Sequence, residues 1–247
     1  MNIFIIIATA LAGYFIGAIS FARIITRIFA PDKKVAEETV VGLEGSDKKM
    51  VLKTVSASSV SAQVGSKFGF MTYLLDMFKI FIPVLILRQI FPGTDYFLIF
   101  AVLGVVGHIW PVYYGFKGGR GLSTIYGGVL AIDWIAIFTT SIGGMLIGLL
   151  VLRDVFSAYM AGIVLLIPWL WFRFHDTNYL IYAVIVNILY TIAIIPEARH
   201  WFKIRREQKW NDPAEVIQLS GMGRGLLKMA KKLGVIKDKP KTDISAG

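Results

Sequence analysis

The residues best suited to chemistry occupy positions 107–124, which carry the sequence GHIWPVYYGFKGGRGLST. The four glycines at positions 115, 118, 119 and 121 have no side chains, so backbone N–H groups can approach a ligand closely. Lys117 and Arg120 add positive charge, and the planar guanidinium of arginine suits phosphate oxygens. A helix that begins near Gly121 adds unpaired N–H donors and a partial positive charge. The pattern predicts an anion-binding cradle, with phosphate as its ligand.

The same stretch has a second interpretation that its local pattern leaves equally open. A glycine-rich basic loop between two membrane helices can be a tight cytoplasmic turn whose cations set the orientation of the chain. The spacing matches neither a Walker loop nor a dinucleotide-binding fingerprint. Other parts of the chain must therefore decide between the two interpretations.

Composition restricts the class of protein. Hydrophobic residues make up 56% of the 247 residues and charged residues only 17%, and the apolar residues occur in long runs. This predicts an all-α integral membrane protein. There is no cysteine, which excludes disulfides and thiol catalysis, and the three histidines show no metal-ligand spacing. The net charge of +10 lies outside the apolar runs, which favours anionic lipid headgroups rather than nucleic acid as partners.

The apolar runs predict a polytopic fold of about seven transmembrane helices. The first covers 3–22 and ends near Phe29, and the others cover 70–87, 96–114, 122–132, 134–152, 155–172 and 179–195. With seven spans, nearly all loop lysines and arginines lie on one side, which predicts an outside N-terminus and a cytoplasmic C-terminus. A six-span arrangement with 122–132 re-entrant would place Arg153 or the basic tail on the wrong side. The predicted units are a transmembrane domain over 1–196 and a basic tail over 197–247.

Polar residues within and beside the spans are further candidates. Asp76 and Lys79 share a helix face and can pair, either as a structural ion pair or as the wall of a site. Pro83 predicts a kink in the same helix. The cytoplasmic insert over 30–67 carries a predicted small hairpin and then four serines over 56–61, which serve either as headgroup donors or as a plain loop. In the tail, 224–237 forms a basic amphipathic segment on the inner leaflet or a disordered stretch.

Two of these stretches resemble those of a known family. Residues 107–121 resemble the central motif of the bacterial acyl-phosphate:glycerol-3-phosphate acyltransferases, roughly GHxxPVxxxFKGGKG. Residues 69–79 are similar to the family's Gx6DxxK stretch, which ends here on Asp76 and Lys79. The similarity covers about residues 10–195. It implies a multi-pass enzyme of the bacterial inner membrane that makes lysophosphatidic acid from acyl phosphate and glycerol 3-phosphate, without a metal or other cofactor.

The resemblance also implies roles for individual residues. Arg120 stands at the lysine position of the family's GGKG and implies a phosphate-binding catalytic cation. Ser58 and Ser59 are the nearest substitutes for catalytic groups of the family's first motif. The implied substrate-binding residues surround them: His108, Lys117, Gly118, Gly119, Gly121, Ser123, Lys67, Asp76 and Lys79.

The chain departs from the family elsewhere. The first motif, GSxNxGATNxxR, falls on 51–62, where Leu52 replaces its leading serine and Ala62 its closing arginine. Of the third motif's two serines only Ser157 is present, and Arg199-His200 do not clearly match the family's RHxxN. The alternative hypothesis is therefore a non-catalytic relative that binds phospholipid or acyl phosphate, or scaffolds lipid-synthesis enzymes. A transporter is a third hypothesis, which the short glycine-rich region 115–132 favours.

Overall fold

The computed structural model describes residues 1–33, 39–42, 49–52, 54–152 and 155–207. Helices dominate it, so the predicted helical membrane fold is confirmed. In chain order the α-helices are α1 (Ile3–Gly17), α2 (Phe21–Phe29), α3 (Ala57–Gln63), α4 (Ser66–Ile90), α5 (Tyr96–Ile109), α6 (Leu122–Ile132), α7 (Trp134–Leu146), α8 (Val155–Val164), α9 (Leu166–Phe174) and α10 (Thr177–Glu207). A 3-10 turn (Val112–Tyr114) follows α5, and a π turn (Ile147–Val151) follows α7.

The apolar helical segments coincide with the seven predicted spans. In the described part of the chain, four are long and apolar enough to cross a membrane: Ile3–Phe29, Ser66–Ile90, Tyr96–Tyr114 and Thr177–His200. Three shorter apolar helices complete the set, namely Leu122–Ile132, Trp134–Leu146 and Met160–Phe174. At 1.5 Å per residue, the 11 residues of α6 extend only about 16 Å, roughly half of a bilayer core. The number of crossings and their orientation stay predictions.

The insert over 30–67 contains the predicted hairpin. Strands β1 (Thr39–Gly42) and β2 (Lys49–Leu52) pair antiparallel, with Thr39 opposite Leu52 and Gly42 opposite Lys49. The hairpin tip lies outside the described residues. The antiparallel pairing of the two described strands confirms the small hairpin predicted within the insert.

The first predicted span is confirmed as one apolar segment, Ile3–Phe29, but a break divides it into two helices. α1 ends at Gly17 and α2 begins at Phe21, with Ser20 in an extended conformation between them. The break leaves the Ile19 carbonyl without a helical partner, and the Lys79 ammonium donates to it at 2.6 Å. A charged donor from another helix thus replaces a backbone hydrogen bond that the membrane interior cannot supply.

The sixth predicted span is broken as well, between α8 and α9 at Leu165. Pro168 has no N–H to offer the preceding turn of helix. The buried Asn187 amide on α10 donates to the Ile163 carbonyl at 2.9 Å and to the Ala183 carbonyl at 2.8 Å. Here, too, a polar side chain from a neighbouring helix satisfies the backbone at a break.

Glycines bring α1 and α5 into backbone contact. A Cβ on Gly17 would collide with the backbone of Gly104, and one on Gly107 would collide with the Tyr14 carbonyl. Only glycine therefore permits this packing distance. The main core then continues through buried apolar residues of α4, α5, α6 and α10. This packing fixes the end of α5 relative to the start of α6, and the glycine-rich stretch connects those two points.

The turn predicted at Asp133 is confirmed. Its carboxylate accepts from the Ile135 N–H at 3.2 Å, which caps α7, and from Trp169 Nε1 at 2.9 Å. At the other end of the chain, α10 runs through Pro196 to Glu207 without a break at the predicted 196/197 boundary. The amphipathic segment predicted over 224–237 lies outside the described residues.

Candidate functional site

The glycine loop, defined here as residues 115–121, connects the 3-10 turn after α5 to the first residue of α6. Gly115 has φ +61° and Gly121 has φ +91°, backbone angles that residues with a side chain rarely adopt. α6 begins directly after Gly121, so the predicted helix start is confirmed. The unpaired N–H groups of its first turn therefore lie at the loop, where an anion would be stabilised.

The backbone and the ring of His108 pack against the glycine loop. The Gly119 N–H donates to the His108 carbonyl at 3.1 Å. A Cβ on Gly118 would collide with this same carbonyl, whereas a Cβ on Gly119 would collide with Nε2 of the imidazole ring. Glycine is thus required at both positions by contact with the protein itself, in addition to any contact with a ligand.

The predicted pairing of Asp76 with Lys79 is confirmed, and His108 joins it. Lys79 Nζ lies 2.7 Å from Asp76 Oδ1 and 3.1 Å from His108 Nδ1, and all three residues are buried. An ammonium can only donate, so Nδ1 accepts and the ring proton resides on Nε2, next to Gly119. With the Ile19 carbonyl, Lys79 has three partners, the full number that an ammonium can bond.

Arg120 links the loop to two distant helices. Its Nη1 lies 3.2 Å from Glu197 Oε1 on α10, and its Nη2 donates to the Ser58 hydroxyl on α3 at 2.7 Å. The structure therefore brings together two of the predicted catalytic residues, Arg120 and Ser58. The carboxylate is 1% exposed and the guanidinium side chain 21%, so the charged pair is buried on the α10 side only.

The third predicted catalytic residue, Ser59, points elsewhere. Its hydroxyl accepts from the Ser56 N–H at 2.9 Å and donates to the Ser56 carbonyl at 2.7 Å. These bonds stabilise the first turn of α3, and Ser59 is fully buried. The remaining predicted residues lie in first turns of helices: Lys67 is exposed on α4 and Ser123 is buried on α6.

A groove of about 340 Å³ opens beside the loop. Thr54, Lys117, Gly118 and Gly119 form its polar part. The apolar part is formed by Val55, Ile109, Trp110, Ile192, Ala193 and Pro196. A molecule with a charged head and an apolar tail matches both parts of this lining.

Two residues of this region were missed in the sequence. Arg23, on α2, donates to the Lys117 carbonyl at 2.8 Å, and its guanidinium lies 4.4 Å from the centre of the Tyr114 ring. Glu197 was assigned to the basic tail, although its side chain is buried and it belongs to α10. An acid directly after an apolar run was the available indication, because a buried carboxylate needs a cationic partner.

Comparison with known proteins places this geometry in context. The sequence profile of the family described as Glycerol-3-phosphate acyltransferase matches residues 7–209. Relatives described as Glycerol-3-phosphate acyltransferase include those of Desulfotalea psychrophila, 36% identical over 131 residues, and Acholeplasma laidlawii, 34% identical over 143 residues. The matches cover 51% and 54% of this chain and 59% and 55% of those relatives. The matched region thus spans between half and two thirds of the relatives' length.

The fold is shared with a solved structure. The crystal structure of PlsY (YgiH), an integral membrane glycerol 3-phosphate acyltransferase in its glycerol 3-phosphate form, superposes with a TM-score of 0.68. The match covers 81% of this chain and 93% of that protein, at 24% sequence identity. The lysophosphatidic acid form of the same protein gives a TM-score of 0.66.

Proposed function

Because the chain belongs to the glycerol-3-phosphate acyltransferase family, we propose that it transfers an acyl group from acyl phosphate to glycerol 3-phosphate. The product is lysophosphatidic acid, a precursor of phospholipids. The observation that carries the proposal is the glycine loop itself, with Arg120 in place and a groove beside it that changes from polar to apolar.

The proposed reaction places the phosphate of the donor on the glycine loop. The glycerol hydroxyl attacks the acyl carbonyl carbon, the new ester C–O bond forms, and the C–O bond to phosphate breaks. The departing phosphate takes up the hydroxyl proton, so charge and atoms balance. Arg120 and the backbone N–H groups stabilise the phosphate charge, and the groove orients the acyl chain. Since an arginine stays protonated in proteins, Arg120 acts electrostatically and transfers no proton.

In this scheme the position of each predicted residue determines its role. Lys117, Arg120 and Ser58 contact the substrates at the mouth of the groove. Gly118, Gly119, Gly121 and Ser123 supply the loop backbone and the start of α6. His108 supports the loop, and Asp76 with Lys79 holds His108, while Lys67 attracts anionic substrates from the cytoplasm.

A non-catalytic lipid-binding relative is the second candidate function. It is favoured by Ala62, which is exposed on α3 where the family motif ends in arginine. Its chemistry differs from the first candidate in one respect only, since it binds the phosphate compounds without turning them over.

The direct test uses the protein purified in detergent with palmitoyl phosphate and labelled glycerol 3-phosphate. We expect lysophosphatidic acid and inorganic phosphate in equal amounts, unchanged by a metal chelator. Palmitoyl-CoA in place of palmitoyl phosphate serves as the donor control and should give no product. Binding of glycerol 3-phosphate without product would favour the non-catalytic candidate, and neither binding nor product would contradict both.

We further propose that the protein lies in the bacterial inner membrane, with an outside N-terminus and with its basic residues against anionic lipids on the cytoplasmic side. Single cysteines at positions 2 and 245 of the cysteine-free chain are unique labelling sites. An impermeant maleimide applied to whole cells should label only the first, and should label both after cell lysis. Equal labelling in whole cells would require an even number of spans.

A further inference from the structure

Glu197 is an acidic side chain at a position where charge is unfavourable. It is 1% exposed and stands directly after Pro196, which lines the groove. Transfer of a carboxylate into such surroundings is unfavourable unless a cation and further hydrogen bonds compensate. Arg120 provides the cation through a single contact of 3.2 Å with Oε1. Within the described part of the chain, the second oxygen, Oε2, accepts no hydrogen bond.

The incomplete bonding argues against a purely structural role. A pair retained only to connect two helices would gain from a partner on both oxygens, as the Asp133 carboxylate has from Trp169 and from Ile135. Glu197 instead directs its one contact at the loop cation, across 77 residues of sequence. The contact therefore constrains Arg120 more than it stabilises α10.

Glu197 and Ser58 together restrict the orientation of the Arg120 guanidinium. Glu197 contacts Nη1 and Ser58 contacts Nη2, so two points of one planar group are fixed from opposite helices, α10 and α3. An ammonium has no such plane, and a lysine at this position would be held differently. Because 21% of the Arg120 side chain is still exposed, a phosphate can reach it.

We propose that Glu197 is a positioning residue for acyl transfer, which holds the Arg120 guanidinium in the orientation that meets the substrate phosphate. This role rests on the acyltransferase function proposed above. Glu197 itself does not contact substrate, so its effect on the reaction must pass through Arg120. A structural residue would affect stability independently of Arg120.

A double-mutant cycle at positions 120 and 197 tests this dependence. We expect Glu197→Ala to lower kcat/KM about tenfold in the parent, because the guanidinium loses the contact that holds Nη1. Glu197→Gln keeps an oxygen acceptor of the same reach and should stay within threefold of the parent. In the Arg120→Ala background, Glu197→Ala should cause no further loss, because no cation remains to be positioned.

Asn187→Ala is the matched control, since Asn187 is also polar, buried and on α10. Its amide donates to two backbone carbonyls, that of Ile163 beside the α8–α9 break and that of Ala183 on α10. This variant should lower the thermal midpoint while leaving kcat/KM within twofold. The proposal is overturned if Glu197→Ala follows this pattern. It is equally overturned if the losses from Arg120→Ala and Glu197→Ala multiply in the double variant.

The same variants separate this role from the proposed function. If the parent binds glycerol 3-phosphate in calorimetry but makes no lysophosphatidic acid, the acyltransferase proposal fails. In that case the double-mutant cycle is measured as affinity for glycerol 3-phosphate instead of kcat/KM. Glu197→Ala should then weaken binding only when Arg120 is present. A folded parent that neither binds glycerol 3-phosphate nor turns it over would contradict both proposals.

Discussion

Two polar clusters flank the glycine loop and differ in how completely their groups are bonded. In the Asp76–Lys79–His108 cluster, the lysine ammonium makes three short contacts and all three side chains are buried. In the Arg120–Glu197–Ser58 cluster, the arginine is partly exposed and Glu197 Oε2 accepts no hydrogen bond within the described residues. The difference indicates that the first cluster holds the helices together. In the second cluster part of the Arg120 side chain stays exposed, and we propose that this part meets the substrate phosphate.

The largest expected effect comes from breaking the first cluster. Asp76→Ala leaves the Lys79 ammonium buried without its counter-charge, which should destabilise the protein by about 3–5 kcal/mol. Asp76→Ala with Lys79→Ala removes both charges and should be milder. Thermal unfolding in detergent measures both variants. Strictly additive losses would show that the two residues do not depend on each other, contrary to their 2.7 Å contact.

The next prediction concerns Gly118 and Gly119, which both pack against His108. A methyl group at position 119 collides with the His108 ring, and one at 118 collides with the His108 backbone. Both single changes should lower kcat/KM by tenfold or more, because overpacking typically costs about 1–3 kcal/mol and here displaces the loop.

The His108→Ala background provides the control for these glycines. Removal of the ring makes room at position 119 only, so Gly119→Ala should cause less than a twofold further loss there. Gly118→Ala should keep its full effect, since the carbonyl remains. Equal behaviour of the two glycines in this background would mean that the loop is displaced for another reason.

These contrasts show which parts of the molecule its sequence predicts. Long apolar runs predicted the membrane helices because each residue contributes independently to transfer into lipid. The breaks at 18–20 and at Leu165 were not predicted, since each depends on a donor from a different helix, Lys79 or Asn187. Such compensation is a property of packing, which a local pattern does not contain.

In the candidate site, too, local motifs predicted some residues but not the contacts that packing creates. Arg120 and Ser58 were predicted from motifs, and they meet in the structure. Glu197 was missed because it stands 77 residues away from its partner, on a helix that was expected to end at residue 195 and continues to Glu207. Glu197 and Ser58 both contact Arg120 only because α3, the loop and α10 converge.

A smaller effect distinguishes the two neighbouring serines of α3. Ser59→Ala removes the reciprocal bonds to Ser56 and should lower stability by about 0.5–2 kcal/mol, as loss of a helix cap does. Ser58→Ala should change stability by less than about 0.5 kcal/mol, as exposed substitutions usually do. It should instead lower kcat/KM, through its contact with Arg120. If Ser58→Ala lowered stability and Ser59→Ala lowered kcat/KM instead, the orientation of both hydroxyls would be contradicted.

The central claim is that Arg120 and the glycine loop bind phosphate, and affinity for a non-hydrolysable acyl phosphonate tests it most directly. Loss of a hydrogen bond to a charged group costs about 1.5–3 kcal/mol, so Arg120→Ala should weaken binding roughly tenfold to a hundredfold. Arg120→Lys should keep part of the affinity, and Arg120→Ala with Glu197→Gln controls for the carboxylate left unpaired. If folded Arg120→Ala protein binds the phosphonate as tightly as the parent, the loop is a turn with orienting charges and the phosphate-binding account is wrong.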